Sequence, residues 1–205
     1  MIDKHGSRSM NIDHSMSAQL KETATLLQED AEMLTAEVAR GARLLADGLL
    51  HDGKILVAGH GSRNSLALYF TTLMIYRFET ERPALPAMAL ASDSTLTTTF
   101  AGENRLADLY SSQIFSLGQD GDLLLLLHGP EHAGYLGQWL DAAHQREMTC
   151  VLLGGTIGEE IRSRLHERDT TICIESDSGA RILEIQLPLI HILCNLIDRY
   201  LLGPN

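Results

Sequence analysis

The run Leu56-Val57-Ala58-Gly59-His60-Gly61-Ser62-Arg63-Asn64-Ser65 holds the residues best suited to bind a ligand. An apolar stretch ends there in a Gly-x-Gly turn and passes into a segment with helical apolar spacing. Gly59 and Gly61 let the backbone turn tightly and approach a ligand closely. The helix that follows begins with free N–H groups, which favour an anion such as a phosphate. Ser62 and Ser65 add hydroxyl donors, and Arg63 could hold an anion through two N–H groups. An exposed, solvated guanidinium is the plainer alternative for Arg63. Ser94 opens a later helix and joins this ligand-binding set.

Histidines are the other candidates for chemistry. His191 lies in Leu187-Pro188-Leu189-Ile190-His191-Ile192-Leu193. A proton-transfer role and a buried, hydrogen-bonded neutral ring both fit there, and the apolar setting favours the second. His128 and His132 are four apart, the spacing of two metal ligands on a helix, with His144 further on. Gly129-Pro130 between them makes a turn instead, and no third ligand is predictable, so neither a metal nor a cofactor is expected. Arg181 and Glu184, three apart, can pair on one helix face. Pro188 predicts a kink or irregularity near Glu184.

The elements that must position these residues follow from periodicity. Ser17 to Leu50 reads as a long helix, with Leu20, Leu26, Leu27, Met33, Leu34, Val38, Leu44 and Leu45 at helical spacing. Short apolar strands are expected at 54–58, 86–90, 123–127, 149–153 and 171–175. Helices are expected at 62–78, 94–101, 107–117, 133–146, 158–165 and 178–202. Continuous apolar strands alternating with helices predict a doubly wound α/β fold, a five-stranded parallel sheet covered on both faces. Ligands in such sheets sit at the carboxyl ends of the strands, near a switch point. The final helix is apolar on more than one face, which points to subunit contact.

At 205 residues, with 44% hydrophobic content, the chain reads as one domain over 17–205 after a flexible N-terminus at 1–16. A net charge of −11 argues against direct contact with nucleic acid, which requires clustered Lys and Arg. Three widely spaced cysteines suit reduced core thiols in a cytoplasmic protein. No apolar run approaches the ~20 residues of a bilayer span, so no membrane association is expected.

Further strings carry a family likeness. Arg77-Phe78-Glu79-Thr80-Glu81-Arg82-Pro83-Ala84-Leu85-Pro86-Ala87-Met88-Ala89-Leu90 is long and unusual. Asp120-Gly121-Asp122-Leu123-Leu124-Leu125, Ser178-Gly179-Ala180-Arg181-Ile182 and His191-Ile192-Leu193-Cys194-Asn195-Leu196-Ile197-Asp198 accompany it. With the Gly-x-Gly turn, these segments resemble the sugar isomerase (SIS) domains of the phosphoheptose isomerase group, from about Leu20 to Leu202. Within that group they most resemble the branch that associates with the DnaA replication initiator. The resemblance implies a flavodoxin-like sheet and a homotetramer that buries the first and last helices.

Residue by residue, the resemblance also shows what is replaced. Phosphosugar-binding members carry a Ser/Thr-rich turn after the strand matching Leu123–Leu127, and here it reads His128-Gly129-Pro130-Glu131-His132-Ala133. Every hydroxyl is gone, Pro130 removes a backbone donor and Glu131 adds a like charge. The family's Asn falls on His60 and its Ser on Arg63. Its acid/base and metal-binding Glu falls on Leu73, a nearby metal-binding His on Tyr69, and a Gln on Leu183. Its catalytic His falls on His191, the one position of this set retained. Proton transfer between two sugar carbons needs at least one positioned base, usually with a second group.

These replacements lead to the expectation of a non-catalytic interaction protein. It would bind a DnaA-type initiator and promote its assembly at the replication origin. Leu201 and Leu202 fall where the initiator-associating branch carries an apolar pair that contacts its partner. The alternatives are a phosphoheptose (sedoheptulose 7-phosphate) isomerase and a sensor of phosphosugars or other anions.

Overall fold

The computed structural model describes the backbone of residues 4–130 and 133–203, with side chains described over 16–28, 33–130 and 134–203. In chain order the elements are α1 (Lys4–Leu50), β1 (Ile55–Gly59), α2 (Arg63–Ile75), β2 (Ala87–Ala89), α3 (Ser94–Gly102), α4 (Leu109–Leu117), β3 (Leu123–Leu127), α5 (Ala133–His144), β4 (Thr149–Gly155), α6 (Glu159–Arg162), β5 (Thr170–Ile174) and α7 (Gly179–Leu202). A 3₁₀ turn at Leu106–Asp108 precedes α4. Where a frayed N-terminus was expected, the backbone of residues 4–16 continues α1. Residues 1–3 lie outside the described residues.

All five strands pair in parallel in the order β2-β1-β3-β4-β5. This is a doubly wound, flavodoxin-like order, and its switch point lies between β1 and β3. Alternate strand residues face opposite layers. Ile55, Val57, Leu123, Leu125, Val151 and Ile172 pack with α1, α2 and α7. Leu56, Ala58, Leu124, Leu126, Cys150 and Leu152 pack with α4, α5 and α6. Burial on both faces explains why the strands read as unbroken apolar runs.

The string Arg77–Leu90 turns out to be a clamp. Arg82, almost fully buried, donates from Nη2 to the Leu73 carbonyl at 2.7 Å and from Nη1 to the Met74 carbonyl at 2.8 Å. Its Nε donates to Asp198 Oδ1 on α7 at 2.6 Å. Carbonyls at the end of α2 are satisfied in this way, which is why the helix stops at Ile75 instead of Phe78. Burial pushes the Asp198 carboxyl up, and the Arg82 charge opposes that shift only in part.

α7 contains Pro188 and continues past it. Within the single chain it is buried on one face. Ile182, Ile185, Gln186, Leu189, Ile190, Leu193, Cys194, Ile197 and Asp198 form one buried face, while Leu187, Ile192 and Leu202 are exposed. By length and composition it could cross a membrane, yet half of that window is buried inside the fold, as in a core helix. The predicted Arg181–Glu184 pair forms at 3.0 Å. It ties α7 to α1 through Thr23, whose hydroxyl donates to Glu184 Oε2 at 2.6 Å.

Candidate functional site

The β1–α2 turn sits at the switch point. Gly59 ends β1, and a Cβ there would lie 2.4 Å from the Arg63 carbonyl oxygen, so only glycine permits this approach. Gly61 adopts φ +62°. Tyr110 donates its hydroxyl proton to the Gly59 carbonyl at 2.8 Å, and burial pushes that phenol up to about 12. It therefore stays protonated and holds the turn.

Arg63 is neither solvated nor open to a ligand. It is 1% exposed, and its Nη2 donates to the Gly179 carbonyl at the start of α7, 3.0 Å away. A Cβ added to Gly129 would fall 2.1 Å from that same nitrogen. The guanidinium thus occupies space that a side chain at 129 would need. The buried cation joins the ends of β1 and β3 to the start of α7. Glu131, expected to repel a phosphate, and His132 lie outside the described residues.

Ser62, Ser65 and Tyr69 fall on one exposed face of α2, at the i, i+3 and i+7 spacing of a helical stripe. Ser65 donates its hydroxyl proton to the Ser62 carbonyl at 2.7 Å. Ser62 makes no side-chain capping bond. At the end of this stripe, Tyr69 Oη lies 2.9 Å from His191 Nε2 on α7. Phe78 stacks on the His191 ring, with centroids 5.4 Å apart. Seven residues of helix separate Ser62 from Tyr69, or about 10 Å. Ser94 is the exposed first residue of α3, which follows β2 at the same carboxyl edge and is capped by Asp93.

His191 is therefore not the buried core histidine that its apolar surroundings suggested. It is half-buried and bonded to a phenol. The sequence offered no sign of that partner, since Tyr69 stood only as a replaced metal ligand. Leu73 and Leu183 are partly buried and pack on the core. Leu201 packs there too, while Leu202 is exposed.

The other histidines scatter. His128 is buried at the end of β3, where its carbonyl accepts from Gln186 Nε2 at 2.9 Å. Gln186, unnoticed in the sequence, also donates to the Leu153 carbonyl at 2.8 Å and so ties α7 to β3 and β4. His144 lies at the opposite, amino edge of the sheet, beside Asp169.

Known proteins share this architecture. The SIS domain family matches residues 19–155. The phosphoheptose isomerase of Alkalilimnicola ehrlichii is 37% identical over 194 residues, covering 95% of this chain and 99% of that one. That of Coxiella burnetii is 36% identical, covering 94% and 97%. Among solved structures, the phosphoheptose isomerases of Neisseria gonorrhoeae and Francisella tularensis superpose with TM-scores of 0.84 and 0.85 at 28% identity. Each match covers 91% of this chain, with 98% and 97% of the respective partner. The Helicobacter pylori HobA–DnaA complex matches with a TM-score of 0.58 at 12% identity, which shows a shared fold alone.

These likenesses overturn the expectation of a non-catalytic initiator-binding protein. Relatives 34–38% identical over most of the chain are phosphoheptose isomerases, and the initiator-associated neighbour is far more distant. With this match, the sheet order and the surviving turn, the chain belongs to the SIS domain family, among relatives of the phosphoheptose isomerases.

Proposed function

We propose that this protein binds a phosphorylated sugar of the heptose class and interconverts its aldose and ketose forms, as a cytoplasmic homotetramer. The hydrogen-bonded Tyr69–His191 pair carries this reading. It lies on an open face and shares a helical stripe with Ser62 and Ser65. Phosphate is held at the β1–α2 turn by the exposed Ser62 hydroxyl and the glycine-rich backbone around Gly61; the first N–H groups of α2 already donate to the carbonyls of His60, Gly61 and Ser62. The sugar runs down the stripe to His191.

Isomerisation moves one proton from the carbon beside the carbonyl to the carbonyl carbon. His191 Nε2 takes the proton from the first carbon and returns it to the second. The Tyr69 hydroxyl relays the oxygen-bound proton between the two sugar oxygens, so the enediol forms and collapses with no net change of charge. An imidazole can both take up and release a proton, which suits it to this exchange.

A second reading, binding without turnover, is favoured by one observation. Leu73 and Leu183 put apolar groups where the family's resemblance places an acid/base Glu and a Gln, and both pack on the core. The deciding experiment measures sedoheptulose 7-phosphate binding by calorimetry and its turnover in parallel. Turnover that disappears in His191→Ala while binding persists supports isomerisation. Saturable binding with no turnover selects the second reading, and absence of both refutes the two together.

A further inference from the structure

We propose that His144, Cys150 and Asp169 form a binding site for a divalent transition metal ion of the zinc class, at the sheet edge opposite the phosphosugar site. His144 ends α5, Cys150 is the second residue of β4, and Asp169 precedes β5. Their donor atoms all lie within 4.8 Å of one another. His144 Nε2 is 2.8 Å from Asp169 Oδ2. Cys150 and Asp169 are buried, and the His144 side chain is 9% exposed.

Zinc bonds of about 2.0–2.3 Å place tetrahedral donors roughly 3.5 Å apart. The histidine–carboxylate pair needs to open by well under an ångström to admit an ion between its atoms. The thiol closes on the ion by about an ångström. The metal takes the place of the proton shared by His144 and Asp169, and the Cys150 thiol proton leaves to water. A sulfur, nitrogen and oxygen donor set suits zinc or cobalt, whereas magnesium and calcium prefer oxygen alone.

Supporting contacts fix these ligands in place, as metal sites require. Asp169 Oδ1 accepts from the Cys150 backbone N–H at 2.8 Å, and Oδ2 accepts from the His166 N–H at 2.8 Å. Arg40 Nη2 donates to the carbonyls of Glu167 and Asp169, both at 2.9 Å, which locks the turn that carries the carboxylate. The exposed His166 ring stacks on His144 with centroids 3.6 Å apart. A surface depression lined by Arg40, Leu165, His166, Glu167 and Asp169 borders the cluster on its Asp169 side.

Cobalt(II) tests the site because a thiolate ligand gives it a charge-transfer absorption band. Full-length reduced protein titrated with cobalt chloride should show that band saturating at one ion per chain, and zinc should abolish it. Cys150→Ala should remove the band, as should the bulkier Cys150→Val if the alanine variant fails to fold. His144→Ala should weaken binding by about tenfold or more. His191→Ala should leave the band intact, which separates this site from the proposed reaction centre. A wild-type protein without the band, or a band that survives in a folded Cys150 variant, overturns the proposal.

Discussion

His191 owes its reading to its neighbours. An imidazole in an apolar helix is ordinarily a packed core group, but here the residue is only partly buried and Tyr69 Oη lies 2.9 Å from its Nε2. If the pair acts as proposed, Tyr69→Phe should lower kcat by about tenfold to a hundredfold and leave KM nearly unchanged, as loss of a proton-relay group does. Steady-state kinetics with sedoheptulose 7-phosphate checks this; an unchanged kcat would remove Tyr69 from the chemistry. Asp198 gives a stability prediction. Desolvation already raises its pKa, so the buried ion pair with Arg82 gains little from charge alone. Removing one partner is another matter. Asp198→Ala would leave the Arg82 guanidinium buried without its carboxylate and should cost on the order of 3–5 kcal/mol, read by urea denaturation.

The β1–α2 connection shows how an element depends on a missing side chain. The Gly59 Cα lies against the Arg63 carbonyl, a backbone atom that cannot swing aside. Gly59→Ala should therefore destabilise the fold by roughly 1–3 kcal/mol and weaken phosphosugar binding, because the turn must open to admit one methyl group. Denaturation midpoints and calorimetry on the same sample report both effects. A variant with unchanged stability would mean that the turn tolerates the shift. Arg63 and Gly129 are linked in a similar way across the switch point, since a glycine at 129 leaves room for the guanidinium. The glycine at 129 and the buried arginine thus fit together as one packed unit.

The whole molecule presents apolar surface that a single chain does not cover. A groove between α1 and α7 is lined by Leu27, Leu34, Val38, Ile185, Leu189 and Ile192, and Leu20 and Met33 are exposed along α1. Contiguous apolar surface of this kind marks an interface. Under the proposed assembly, Ile192→Glu should shift the particle from tetramer towards smaller species in light scattering at micromolar concentration. A wild-type chain that is already monomeric there would refute the tetramer.

Sequence by itself determined the layered α/β fold. Strands buried on both faces must be apolar at every position, and that pattern needs no knowledge of what packs above or below. It also marked the Gly-x-Gly turn and the Arg181–Glu184 pair, since both depend on residues close together in the chain. Tertiary structure alone decided the rest. Tyr69 and His191 are 122 residues apart, and Arg63 and Gly179 are 116 apart. His144 and Asp169 meet across 25. Burial of Arg63, partial exposure of His191 and convergence of a thiol on a histidine–carboxylate pair are properties of distances between elements. Periodicity within one element carries no record of such distances, because it fixes which face a residue takes and leaves open what that face meets.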